Sequence, residues 1–197
     1  GSRELALVRE KDGKVTNSVI HTLTRFSENE KQNIDQDMLL DMALRFNPEI
    51  ICVGEMRSSE AYTAQESART GHTVLTTIHS NSCESTYSRM RTLCKRKYDM
   101  DDEVLMDLVT EAFPIVVFTK QLENRKRKLM EIMECEILAD GTRRYRPLFQ
   151  YQITENRVED GKFVIGGHHR QINPISDSLA RRLLFSPADR SSARGNP

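Results

Sequence analysis

The chain has no surplus of charge of either sign: 29 Lys and Arg stand against 29 Asp and Glu in 197 residues. A dedicated nucleic-acid binder needs basic excess to displace the counterions of a phosphate backbone, so no direct nucleic-acid binding is expected. Cysteine is scarce. Cys52, Cys83, Cys94 and Cys135 form no CxxC pair and no metal-ligand rhythm, which reads as reduced thiols. No apolar run reaches transmembrane length and no signal-peptide pattern opens the sequence, so a soluble, unexported chain is expected. Gly1-Ser2 has the look of a cloning remnant, and the chain is expected to begin inside a longer one.

What is present is enough sequence for one sizeable core with a small appendage. Short strands are expected at 5–8 (LALV) and 19–25 (VIHTLTR), with a turn at 11–14 (KDGK) and a polar loop over 27–35. A helix is expected from Asp35 to Pro48, with Met38, Leu39, Met42, Ala43 and Phe46 as its apolar stripe. The strand EIICVG, 49–54, is apolar on both faces, as in the middle of a parallel sheet. Ser58 or Ser59 is expected to cap the next helix. Ala61, Ala64 and Ala68 give that helix a thin face, and Gly71 suits its left-handed stop. A strand at 72–80, helices at 83–97 and 101–112 (Val104, Leu105, Leu108, Val109 and Ala112 on one side) and a strand at 115–119 complete an α/β layer. Beyond it, 129–138 and 143–153 alternate around a turn at 139–141, a second turn falls at Asp160-Gly161, and a last helix is expected at 175–184. The division expected is 3–119 for the α/β part, 120–185 for a β-rich appendage, and 186–197 for a disordered tail.

The chemistry concentrates within about forty residues, a span read directly from 40–81. NPEIICVGEMR, 47–57, is a buried strand that delivers Glu55 to its C-terminal end. Ligands of such sheets sit beyond that edge, where a carboxylate orients or deprotonates a water for attack on a phosphate. Read alone, Glu55 is equally a surface glutamate capping the next helix. TGHTVLTTIHSN, 70–81, places His79 at the same edge and His72 at the strand's start, with Thr76, Thr77 and Asn81 between and after them. Seven extended residues hold the two histidines roughly 23 Å apart, too far to share a metal. Arg57 is placed to steady Glu55 or reach a phosphate, or is an ordinary surface ion pair. A phosphate-binding GxxxxGK[ST] loop is absent from the chain. Gly13-Lys14 and Gly161-Lys162 are followed by Val15 and Phe163, and Val8 and Asn156 stand where the earlier glycine is needed.

Taken together, the LRFNPE lead-in, IICVGEMR and GHTVLTTIHSN resemble, in order and spacing, the ATPases of type II and type IV secretion systems and type IV pili. The likeness is greatest to the branch that powers tight-adherence pili and conjugation machines. REL at 3–5 resembles the end of that family's acidic box, and RQINPISDSLARRLL at 170–184 its C-terminal end. The resemblance implies a RecA-like P-loop NTPase core, here its C-terminal portion, plus the antiparallel appendage. It implies Glu55 as the Walker B glutamate acting with ATP and Mg2+, and Glu4 as the last acidic-box position. It implies His79, His72, Arg57 and Thr77 at the nucleotide or subunit interface. It further implies a homo-hexameric ring at the cytoplasmic face of the bacterial inner membrane, working on platform proteins of a pilus or secretion machine. Without a Walker A loop, this chain is expected to be inactive alone. Two other readings stand beside it. One is a metal-dependent hydrolase using Glu55, His79 and His168 or His169, although no HExxH spacing is present. The other is a non-enzymatic interaction module whose basic runs at 125–128 and 143–146 meet an acidic partner or membrane surface.

Overall fold

Asp35 opens the first helix as its sequence position requires. In the computed structural model, which describes residues 5–183, its side chain accepts a hydrogen bond from Met38 N at 2.8 Å and α1 runs over Gln36–Leu44. The cap pairs one of the amides a helix start leaves open. The helix stops before Pro48, and Asn47 turns the chain at φ 47°. The expected apolar stripe is not the covered side of α1. Leu40 is 5% exposed, whereas Met38 and Phe46 are 54% and 52% exposed. The reason is polar. Lys97 Nζ bonds both Asp37 Oδ1 (2.8 Å) and Thr63 Oγ1 (2.7 Å), and Thr63 bonds Asp37, so the Asp37–Leu40 side is drawn inward.

The chain then makes a strand–helix–strand unit. β3 (Ile50–Val53) and β4 (Thr73–Thr76) pair in parallel, with Ile51 opposite Val74 and Cys52 opposite Leu75. Between them runs α2 (Glu60–Arg69), because parallel strands need a crossover. Ala61 and Ala64 are buried, as their small size on one stripe anticipates. Gly71, at φ 107°, ends the helix with His72 N donating to Ser67 O, a left-handed stop only glycine adopts cheaply. The expectation of a strand covered on both faces is met on one. Ile51 and Val53 are buried, but Ile50 and Leu75 are more than half exposed, because this parallel sheet has two strands among the described residues.

Neither 5–8 nor 19–25 forms a strand. The alternation at 19–25 finds no ladder and keeps a single antiparallel bridge, Arg25 with Ile34. The turn at 11–14 does form, joining β1 (Glu10–Lys11) to β2 (Lys14–Val15) through Asp12 and Gly13, both at positive φ. α3 (Cys83–Cys94) and α4 (Asp102–Ala112) come next. On α4 the buried side is Leu105, Met106, Val109, Thr110 and Ala112, and Val104 faces outward.

The second sheet is antiparallel throughout, in the order β5 (Ile115–Gln121), β6 (Arg127–Ile137), β7 (Arg143–Glu159) and β8 (Lys162–Gln171). The strand expected at 115–119 is therefore present, but its partner is β6 and not the parallel pair. The chain separates into two compact units, one reaching to His79 and including Arg89–Ala112, the other containing Ser80–Ser88 and everything from Phe113. The boundary expected at 119/120 thus falls inside β5. The start of α3 goes with the antiparallel sheet because Tyr87 Oη donates to Phe113 O at 2.8 Å and Cys83 Sγ to Val116 O at 3.7 Å. Burial pushes the thiols of Cys83 and Cys94 up to about 12, and all four cysteines are free. Glu134, at 1% exposure, accepts from both Ser176 N and Ser176 Oγ. Ser176 in turn caps α5 (Asp177–Arg182) at Leu179 N. Glu4, and the tail expected at 186–197, lie outside the described residues.

Candidate active site

The pairing of β3 with β4 continues one step past the strands and fixes the turn at 54–57. Met56 N donates to Thr77 O at 2.9 Å, and Thr77 Oγ1 donates to Gly54 O at 2.6 Å. Gln36 Nε2, at the start of α1, holds Glu55 O at 3.0 Å. Glu55 is thereby presented at the carboxyl edge of the parallel pair, where sheets of this kind receive ligands.

Its side chain is 17% exposed and meets a basic side chain at each oxygen. Arg57 Nε lies 2.6 Å from Oε2, with Arg57 Nη2 on the same oxygen, and His79 Nε2 lies 3.2 Å from Oε1. The hydrogen bond from Arg57 holds the Glu55 carboxyl below the usual carboxylate range. Desolvation opposes this, and the charges of Arg57, His79 and Arg89 reinforce it. Glu55 is therefore an ionised acceptor at neutral pH, able to orient or deprotonate a water. Because the folded value is depressed, the pair's contribution to stability is present above the unfolded value and is lost as pH falls through the folded one. Arg57→Ala is expected to move the Glu55 titration upward, read by NMR of the Glu55 carboxyl. An unmoved midpoint would reject Arg57 as the cause.

Three further side chains adjoin the site. Glu60, 6% exposed, accepts from Arg57 N and from Ser58 N (2.8 Å). It does the work expected of the serines, since Ser59 at the N-cap makes no side-chain cap bond. Arg96 Nη1 donates to Arg57 O at 3.1 Å, and Arg89 contributes its charge from α3. Arg89 lies on α3 and Arg96 in the turn that follows it, and no periodicity in the sequence marks either as a neighbour of Glu55.

The structure gathers Glu55, Arg57, Thr77 and His79. It does not bring His72 to them. His72 precedes the first residue of β4, at the opposite end from His79, and its Nδ1 is buried with no hydrogen-bond partner among the described residues. Glu4 lies outside the described residues. His168 and His169 lie on β8, in the other unit, where His169 Nε2 meets Leu129 O at 3.0 Å. No group of three His, Cys, Asp or Glu side chains among the described residues is placed to hold a metal ion.

Comparison with known proteins agrees with the motifs at the site. The chain is 31% identical over 130 residues to competence protein ComGA of Halalkalibacterium halodurans, covering 60% of this chain and 37% of that protein. It is 38% identical over 69 residues to the type IV pilus assembly ATPase PilB of Pseudomonas aeruginosa, covering 34% of this chain and 12% of that one. Among solved structures it is similar to the VirB11 ATPase of the Brucella suis type IV secretion system. That match has 25% identity and a TM-score of 0.49, over 51% of this chain and 32% of the other. The chain thus spans little more than a third of its curated relatives at most. The sequence pattern of the family described as "Type II/IV secretion system protein" matches residues 10–158, well over half of the chain. The chain belongs to that family.

Proposed function

We propose that this chain is part of an ATPase that powers pilus assembly or secretion, contributing the water-activating half of the nucleotide site. The observation that carries the reading is Glu55, ionised and held at the carboxyl end of β3 by Arg57 and His79. Membership of a family whose relatives include a named pilus assembly ATPase supports it. The donor set fits part of what Mg·ATP needs. A carboxylate suits a magnesium-bound or attacking water, while the amide cradle of a GxxxxGK[ST] loop is not in this sequence. When bound, Mg·ATP supplies the electrophilic phosphoryl group. Glu55 aligns the water, and Arg57 and His79 fix the carboxylate's rotamer and keep it ionised. Thr77 holds the turn on which Glu55 sits. Glu4, His72 and the interface roles of His79 and Thr77 belong to the same reading. So do a homo-hexamer, a location at the cytoplasmic face of the inner membrane, and platform proteins as partners.

Calorimetry of this chain with Mg·ATP is expected to show no binding, because the phosphate cradle comes from outside it. Binding at low micromolar affinity would overturn the division of the site.

A further inference from the structure

The five cations Lys120, Arg125, Lys126, Arg127 and Lys128 sit at the β5–β6 hairpin end, and Glu123 is the one acid among them. The register puts Lys120 opposite Lys128 and Gln121 opposite Arg127. The turn between is held by its own hydrogen bonds. Leu122 N donates to Lys126 O (3.0 Å), Arg125 N to Leu122 O (2.8 Å), Lys126 N to Asn124 Oδ1 (3.1 Å) and Gln121 Nε2 to Arg125 O (3.1 Å). Arg125 occupies the left-handed region at φ 62° to complete the turn. Leu122 is buried with Tyr151 and Ile165, which pins the hairpin to its sheet. Lys128 lies 5.3 Å over the Tyr151 ring.

Like charges opposite one another destabilise a β-pair. Elsewhere in this unit two strand arginines are neutralised, Arg144 by Glu136 and Arg157 by Glu155 and Glu159. No carboxylate pairs with any of the five hairpin cations among the described residues. The fold thus holds an unneutralised basic cluster at a turn fixed by its own hydrogen bonds, with Lys120, Arg125, Lys126 and Arg127 exposed. The hollow of about 290 Å³ in the same unit carries Glu131, which repels an anion. We infer that the β5–β6 hairpin docks on an anionic lipid surface, its cations facing phosphate headgroups, which attract clustered Lys and Arg within a screening length. This deepens the location proposed above, but its test uses no nucleotide, so either reading can fail without the other.

The test is co-sedimentation of this chain with phosphatidylcholine vesicles, with and without phosphatidylglycerol. Binding is expected only with phosphatidylglycerol, weakening as salt rises from about 0.1 to about 1 M. Each cation at an anionic surface is worth about fivefold in partitioning, so Lys126→Glu with Arg127→Glu is expected to lower binding at least ~30-fold. Lys11→Glu with Lys14→Glu, on the exposed β1–β2 hairpin, changes net charge equally and is expected to keep most of it. No binding to anionic vesicles, equal binding to neutral ones, or equal loss in both variants would overturn the assignment. So would capture by a polyglutamate peptide without vesicle binding, which would move the surface to an acidic protein segment.

Discussion

Replacing Glu55 with glutamine, in a protein that joins this chain to a phosphate-binding loop, is expected to cut ATP turnover by about 10²–10⁴-fold and leave ATP binding intact. That range is about 3–5 kcal/mol of transition-state stabilisation. Glutamine has the glutamate's shape and can still accept from Arg57 Nε through its amide oxygen, so the turn at 54–57 keeps its geometry. What it loses is the negative charge and the capacity to take a proton. The fall should therefore appear in kcat and not in nucleotide affinity, which separates a chemical role from a structural one. Arg57→Ala is a milder lesion, because it frees the carboxylate without removing it. Turnover within a few-fold of the parent for Glu55→Gln would remove Glu55 from the mechanism, whatever its position at the strand edge.

Local chemistry is legible where one residue type has one use. Asp35 before an apolar stretch, Pro48 after it, the Ala61–Ala64 stripe and Gly71 each force a backbone outcome, and each outcome is present. Pairing was harder to read. Residues 19–25 alternate and 115–119 are an apolar run, but only the second finds a ladder, and its partner is β6. A strand's partner depends on distant chain, which periodicity does not carry. Charge was hardest. Glu134 sits at an apparently outward position of an alternating strand, yet it is buried because Ser176 supplies two donors. Glu60 displaced two serines of higher capping preference because its longer side chain reaches back to two amides at once. The edge position of Glu55 and His79 was legible from β3 and β4 alone. Arg89 and Arg96 are hidden in α3 and the turn after it, where their charges look like an ordinary wet face.

The largest expected effect on stability comes from a residue with no side chain. Gly167 faces Ile153 across the β7–β8 ladder, beside an irregularity between Ile153 and Glu155. A Cβ placed there would stand 2.2 Å from Gln152 O and 2.9 Å from Tyr151 Cζ. The first obstacle is backbone, which has no rotamer to yield. The second is a ring 8% exposed, packed with Leu122 and Ile165. A glycine inside a strand marks such close approach. Relief requires the two strands to separate or the Tyr151 ring to leave its cluster, and overpacking of this kind costs about 1–3 kcal/mol or more. Gly167→Ala is expected at the upper end of that range, as a lower midpoint in urea with the slope unchanged. Gly141→Ala is the contrast. Its Cβ would meet nothing within 4 Å, but its φ is +82°, so it carries only backbone strain, of order 1 kcal/mol. A Gly167→Ala midpoint no lower than that of Gly141→Ala would mean that the β7–β8 approach is looser than 2.2 Å implies.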